Sequence, residues 1–522
     1  MPRLLTSHAA QRYGTRSVKP LELFGLVILS LTAMVWGLTL IGGHPNLQVQ
    51  EYMLLLGLYG MASAMFVIPR VRANSTRLFD LPVFMTLVAF FRFGLIPLYF
   101  LFHPELRLHG YLKEPGLFTQ ALFYFVLGMI AFWVGSALVP LVGETREETG
   151  NREPRIPAIN GVVEDDKVLT WAVGIYLVII AVRMYLLHNH LYSYTTESWD
   201  IYYQNIASLQ VANVIHQFGP FVMVITAVEA YFHPYDLRRK TLFYVLFASE
   251  CLWGLISGMK TTFLQGFVMV GVVRCLAERR VRARWLVTPV VLLVLIYPFH
   301  NQYRLLLKGK GMQVSTLAEA GKVGWLAVTN TLDQTQSMGD WLGGGSDSSL
   351  ARLDLLQSVA AIVHLGNATD SIRTRDHWWM LPIYLFIPRL IWPSKPVQNM
   401  GGDFSVVLGE DPHTASSPTY AGDAYLEFGL PGIIVCMLVL GIFTQWLTRF
   451  GTCRLSKRRL FVFASMFLIA VDMDDDVFGY WTGVLKYLVM ISLVGWFIYR
   501  PPRRSPRLFF RPTTASSHQS SA

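Results

Sequence analysis

Apolar runs of roughly bilayer length recur along almost the whole chain. A hydrocarbon core takes about 20 apolar residues per helix, with a range of about 17–25. Runs that meet or approach this length are 21–41, 52–69, 82–102, 117–142, 168–187, 211–232, 241–257, 261–277, 285–300, 430–449, 460–474 and 480–499, the run 460–474 being the shortest. In hydrocarbon every backbone N–H and C=O must be satisfied within its own segment, so runs of this length read as helices. The expected fold class is an all-α polytopic membrane protein of about twelve transmembrane helices. Composition agrees: 53% of the 522 residues are hydrophobic and only 15% charged, against about 25% charged in an ordinary soluble chain. The net charge of +10 does not point to nucleic acid, because the cations lie in short loops between apolar runs. Four cysteines, three of them inside apolar runs, make no disulfide framework.

Those cations orient the chain. Arg3, Arg12, Arg16 and Lys19 precede the first run, and clusters at 70–77, 146–167, 238–240, 279–284, 449–459 and 500–511 follow every second one thereafter, placing 28 of the 44 basic residues on one side. By the positive-inside rule that side is cytoplasmic, with both termini on it. Run 21–41 is too long for a cleavable signal and reads as a retained anchor. The expected organisation is a cytoplasmic tail 1–20, spans one to nine over 21–300, a large outward loop 301–429, spans ten to twelve over 430–499, and a basic then disordered tail 500–522.

Within the loop, His377–Pro393 is apolar but broken by Pro382, Pro388 and Pro393. A crossing there would also move the 449–459 basic cluster outside. An interfacial or re-entrant helix fits better, with Trp378, Trp379 and Trp392 at headgroup depth. Upstream, Ser348 or Ser349 is placed to cap a helix 350–365.

Ionisable groups within spans are costly and therefore candidates for function. Arg92 falls in the third run, Arg183 near the outer end of the fifth, and Lys486 near the outer end of the twelfth. Lys260 lies in the outer turn Ser257-Gly258-Met259-Lys260, and Arg304 just past the ninth run. Glu250 is the obvious acid to neutralise one of them, with Arg92 as the expected partner. Any single cation also fits a snorkelling anchor; the set together suits a multiply anionic ligand, since guanidinium binds phosphate oxygens in pairs. Arg352, Arg389 and Lys395 in the loop extend the set. The carboxylate and imidazole candidates for proton transfer are Asp423, Glu427, His364 and Asp370. Asp423 and Glu427 would share a helix face, or stand simply as polar residues at the wet end of the tenth span. Asp472, Asp474, Asp475 and Asp476 read as a solvated outer turn, and no metal or cofactor is expected.

The segment Ile387-Pro388-Arg389-Leu390-Ile391-Trp392-Pro393-Ser394-Lys395-Pro396 resembles the I-P-R-x-x-W-P-x-K-P segment of the Wzy-type O-antigen or exopolysaccharide polymerases of bacteria. Tyr420–Gly432, ending Phe428-Gly429-Leu430-Pro431-Gly432, is similar to that family's entry into its next helix. Ser257–Lys260 and Tyr303-Arg304 are similar to its Ser-Gly-x-Arg turn and its Tyr-Arg after a helix. Lys260 stands where the family has Arg, and Asp423 where Glu is common. The resemblance spans most of residues 240–450. It implies a GT-C-like glycosyltransferase in the inner membrane, polymerising oligosaccharide repeats carried on undecaprenyl diphosphate at the periplasmic face. Arg92, Arg183, Lys260, Arg304, Arg352, Arg389, Lys395 and Lys486 would bind diphosphate, and Arg389, Asp423, Glu427 and His364 would act in catalysis. Trp378 and Trp379 would stack on sugars, with a flippase and a chain-length regulator as partners. Two other readings stay open: an O-antigen ligase that hands the glycan to lipid A core, and a transporter of lipid-linked sugars.

Overall fold

The computed structural model describes residues 47–103, 115–139, 166–193, 206–278, 280–334, 353–366, 383, 387, 391–392, 400–409, 416–452 and 456–499. The described part is helical, with no strand. In chain order the helices are α1 (Leu47–Ala73), α2 (Leu81–Phe102), α3 (Pro115–Leu138), α4 (Asp166–His188), α5 (Ile206–His216), α6 (Gly219–Phe232), α7 (Leu237–Ser257), α8 (Lys260–Ala277) and α9 (Ala283–Arg304). They continue with α10 (Leu317–Gln334), α11 (Leu356–Leu365), α12 (Met400–Val407), α13 (Tyr420–Thr452), α14 (Lys457–Val471) and α15 (Val477–Ile498). Among the described residues, eight helices are long and apolar enough to cross a membrane; α7, α9 and α14 occupy the further runs at 241–257, 285–300 and 460–474. The expected first span, 21–41, lies outside the described residues.

The core is built around α3 and α13, which run against one another. Their backbones meet where side chains are missing. A Cβ on Gly135 would overlap the Leu438 carbonyl oxygen, and one on Gly441 the Phe132 carbonyl oxygen. Small residues at such crossings let helices approach closely in lipid, where dispersion rather than water drives packing. At the basic end of the bundle, buried Glu229 on α6 receives Arg239 Nη1 from α7 at 2.9 Å and Lys457 Nζ from α14 at 3.0 Å. One carboxylate thus ties three helices.

Three expectations change. The helix expected over 350–365 begins at Leu356, and the Asp354 carboxylate accepts from the Gln357 N–H at 3.1 Å; Ser348 and Ser349 lie outside the described residues. The helix that carries the tenth run starts ahead of it: α13 begins at Tyr420 and kinks at Gly429, whose φ of 63° and ψ of −152° are open to glycine but not to side-chain-bearing residues. Pro431 follows two residues on and cannot donate into the turn before it. Finally, the segment 301–429 contains α10, which Thr316 and Glu319 start as a reciprocal capping box. The Glu319 N–H donates to Thr316 Oγ1 at 3.2 Å, and the Glu319 carboxylate accepts from the Thr316 and Ser315 N–H groups at 3.2 and 2.8 Å.

Candidate functional site

Two motif fragments, with Gly258 and Arg304 46 residues apart, meet in one corner. Gly258, at φ 68°, ends α7 in the left-handed conformation and turns the chain into α8 at Lys260. The Ser257 hydroxyl donates to the Gly254 carbonyl at 2.7 Å and accepts from the Met259 N–H at 3.1 Å, fixing the turn. The end of α9 then docks on it. Arg304 Nε donates to the Gly258 carbonyl at 2.8 Å, and the Tyr303 hydroxyl to the Ile256 carbonyl at 3.2 Å. From beyond the end of α4, Ser193 Oγ donates to the Ser257 carbonyl at 2.8 Å, and the Tyr192 hydroxyl to that of Trp253 at 3.3 Å. The Lys260 ammonium lies 2.9 Å from the centroid of the Tyr297 ring, a cation–π contact. Two cations are thereby positioned by a backbone carbonyl and an aromatic face.

A second polar group assembles around Arg92. Residues Phe91–Leu95 form a π turn inside α2, an insertion that re-aims side chains and recurs at functional sites. Arg92 engages Asp474 through both terminal nitrogens, the Nη2–Oδ2 bond being 3.0 Å. Its Nε donates to the Leu353 carbonyl at 3.3 Å, while its own carbonyl accepts from the Leu355 N–H at 3.3 Å. The start of helix α11 is therefore fastened to α2 and to the α14–α15 turn. The Tyr420 N–H donates to the Met473 carbonyl of that turn at 3.1 Å, and Asp423 Oδ2 accepts from the Val477 N–H at 2.9 Å, at the start of α15. Asp423 is 0% and Glu427 2% exposed, so they are not polar residues at a wet helix end. Asp423 Oδ1 has no hydrogen-bond partner among the described residues.

The aspartate turn is solvated in part: Asp472 and Asp475 are exposed, while Asp474 and Asp476 are half-buried and engaged. Asp474 pairs with Arg92, and Asp476 accepts from the Gly479 N–H at 2.6 Å. Desolvation in the crowded turn, then the charges of Asp472, Asp476 and Asp474, push the Asp475 carboxyl up to about 7. Asp472 is raised by desolvation and by Asp474, and Asp476 by desolvation.

The expected partner of Arg92 is corrected, because Glu250 belongs to Arg183. Those two side chains are 5% and 2% exposed and joined at 2.7 and 3.0 Å, with the Tyr176 hydroxyl donating to the same carboxylate at 2.8 Å. Arg183 is therefore neutralised inside the protein. Lys486 sits midway along α15 rather than near its outer end, with its ammonium 4.5 Å from the Tyr487 ring centroid. His364 is exposed at the end of α11, a helix that packs on the start of α13 through Val359 and Ile362 at Gly422. Arg352, Asp370, Trp378, Trp379, Arg389 and Lys395 lie outside the described residues. Sequence reasoning missed Asp474 as the partner of Arg92 and Asp354 as the acceptor for the Gln357 N–H at the start of α11. The four-aspartate turn signalled the first only by its crowding. Among the described residues no group of three or more His, Cys, Asp or Glu side chains is placed to hold a metal ion.

A family model described as a domain of unknown function (DUF8712) matches residues 373–469. That stretch holds the Pro-Arg segment, α12, α13 and most of α14. No curated protein and no solved structure matches the chain.

Proposed function

We propose that this protein is a membrane glycosyltransferase that polymerises oligosaccharide repeat units carried on undecaprenyl diphosphate. In this reading it crosses the inner membrane twelve times, with a GT-C-like arrangement, both termini in the cytoplasm and the catalytic face toward the periplasm. The observation that carries the reading is the corner where Ser257–Lys260 meets Tyr303-Arg304, which gathers two fragments of the polymerase resemblance and two cations. In the reaction an acceptor hydroxyl attacks the anomeric carbon of the donor glycan. The bond to the carrier breaks, and its electron pair leaves with the diphosphate. Lys260 and Arg304 stabilise that growing charge, joined by Arg389 and Lys395 of the loop. Asp423, whose second carboxylate oxygen has no described partner, takes the hydroxyl proton.

The test is a reconstitution. Purified protein in liposomes receives a lipid-linked repeat unit, and the products are separated by size. A ladder of lengths supports polymerisation, and Arg304→Ala should abolish it while insertion persists. Translocation without lengthening, or transfer to lipid A core alone, would remove this proposal in favour of a carrier or a ligase.

A further inference from the structure

Beyond that reaction, we infer that α10 and the turn before it form a docking surface for anionic phospholipid headgroups. Helix α10 lies across three helix ends. Its buried Ala320, Val323 and Ala327 share one packed cluster with Leu186 and Leu187 of α4, Trp253 and Ile256 of α7, and Tyr303 of α9. In the proposed topology those helix ends are where α4, α7 and α9 leave the bilayer.

A second apolar face stays uncovered by the described protein. Leu317, Gly321, Trp325, Val328 and Leu332 recur at spacings of three and four, about a third of a turn from the buried face. Leu317 is 43%, Trp325 70% and Leu332 60% exposed. Lys322 and Asp333 stand on the remaining, polar side. Leu305 and Met312, in the segment joining α9 to α10, are exposed as well. On α9 itself Val287, Val291 and Leu295 follow one another a turn apart, each about half exposed, along an apolar side of a helix that lies in an expected span. Lipid covers that side of α9, and the same lipid is the occupant that α10 meets.

Charge selects the kind of lipid. From Arg304 to Lys322 the chain carries Arg304, Lys308, Lys310 and Lys322 against a single acid, Glu319. The Glu319 carboxylate is engaged by the Ser315 and Thr316 backbone at the start of α10. Lys308, Lys310 and Lys322 are exposed, beside an apolar face one helix wide. An amphipathic helix lying in the interface with lysines along its border is held by acyl burial and by anionic headgroups together.

The experiment is hydrogen exchange of the full-length protein in nanodiscs of phosphatidylcholine alone, and of phosphatidylcholine with phosphatidylglycerol. Amides of α10 should exchange about a hundredfold more slowly with phosphatidylglycerol present, from three lysines near an anionic surface. Lys308→Gln/Lys310→Gln/Lys322→Gln should remove that difference, and Trp325→Ser/Leu332→Ser should speed exchange in both lipids. Native mass spectrometry of phosphatidylglycerol titrated onto the wild type and the triple variant in detergent gives the same comparison without relying on exchange. Equal exchange in the two lipids with equal lipid retention by the two proteins would overturn the inference, as would protection that appears only when another protein is added.

Discussion

Removing Glu250 should unsettle the bundle far more than removing a typical surface charge. The carboxylate takes two bonds from Arg183, at 2.7 and 3.0 Å, and one from Tyr176 at 2.8 Å. Arg183 Nη2 also donates to the His216 carbonyl at 3.0 Å. No room exists for a larger neighbour, since even a Cβ on Gly219 would overlap both Arg183 Nη2 and Glu250 Oε1. Glu250→Ala therefore strands a guanidinium that is only 2% exposed, at a cost of about 3–5 kcal/mol. Glu250→Gln keeps an acceptor but loses the charge, which costs about 1.5–3 kcal/mol. Arg183→Met/Glu250→Leu removes both charges and should recover most of the loss, because two buried ions are replaced by apolar volume. Denaturation by a graded detergent titration in mixed micelles measures all three differences. If Glu250→Ala stays within about 0.5 kcal/mol of wild type, or the double variant costs the sum of its parts, the two residues do not act as one buried unit.

Gly258→Ala places a Cβ at a φ of 68° and should cost about 1–2 kcal/mol, lowering the melting temperature, with Gly258→Asn milder. Gly135→Leu or Gly441→Leu should part α3 from α13, at the upper end of overpacking costs or beyond, about 3 kcal/mol or more, read as loss of monodisperse protein on size exclusion. Arg92→Gln removes a pair whose acid is 45% exposed, so its stability cost should stay at about 1 kcal/mol or less; the Leu355 amide, which bonds the Arg92 carbonyl, should nonetheless exchange faster. Asp475, pushed up to about 7, keeps a proton that the unfolded chain releases near the ordinary carboxylate value, so stability should fall as pH rises from about 4 to 7. Melting curves of Asp475→Asn should lack that component.

Helices were legible because membrane hydrophobicity is written in residue type alone. Every expected run that falls on described residues carries a helix, and Arg183 and Lys260 appear on the elements expected of them. Partnership was not legible, because it depends on which helix faces meet. Arg92 and Glu250 are both ionisable groups in apolar runs, and nothing in their spacing says that Arg183 takes the glutamate while a turn 382 residues away takes Arg92. The start of α13 was missed for a different reason. Tyr420–Phe428 is too polar for a span, and Gly429 and Pro431 look like a boundary, yet packing against α11 and α15 buries the stretch and keeps it helical. Helix α10 could have been found from Thr316-x-x-Glu319, a capping signal with an apolar face behind it.

The pairings also change what the cations can do. An arginine already matched by a carboxylate brings no surplus charge to a ligand, and an anion that binds it must first displace the acid. Arg183 is closed in this way by burial, and Arg92 is held by Asp474, which is itself accessible to water. At the Ser257–Lys260 corner a backbone carbonyl accepts from Arg304 and an aromatic ring faces Lys260. In the proposed reaction the corner holds the diphosphate and an anion at Arg92 must first displace Asp474, so Arg304→Ala should weaken diphosphate binding more than Arg92→Ala does. Competition by a soluble diphosphate ester against the lipid-linked donor measures both losses, and equal losses would return Arg92 to the anion site.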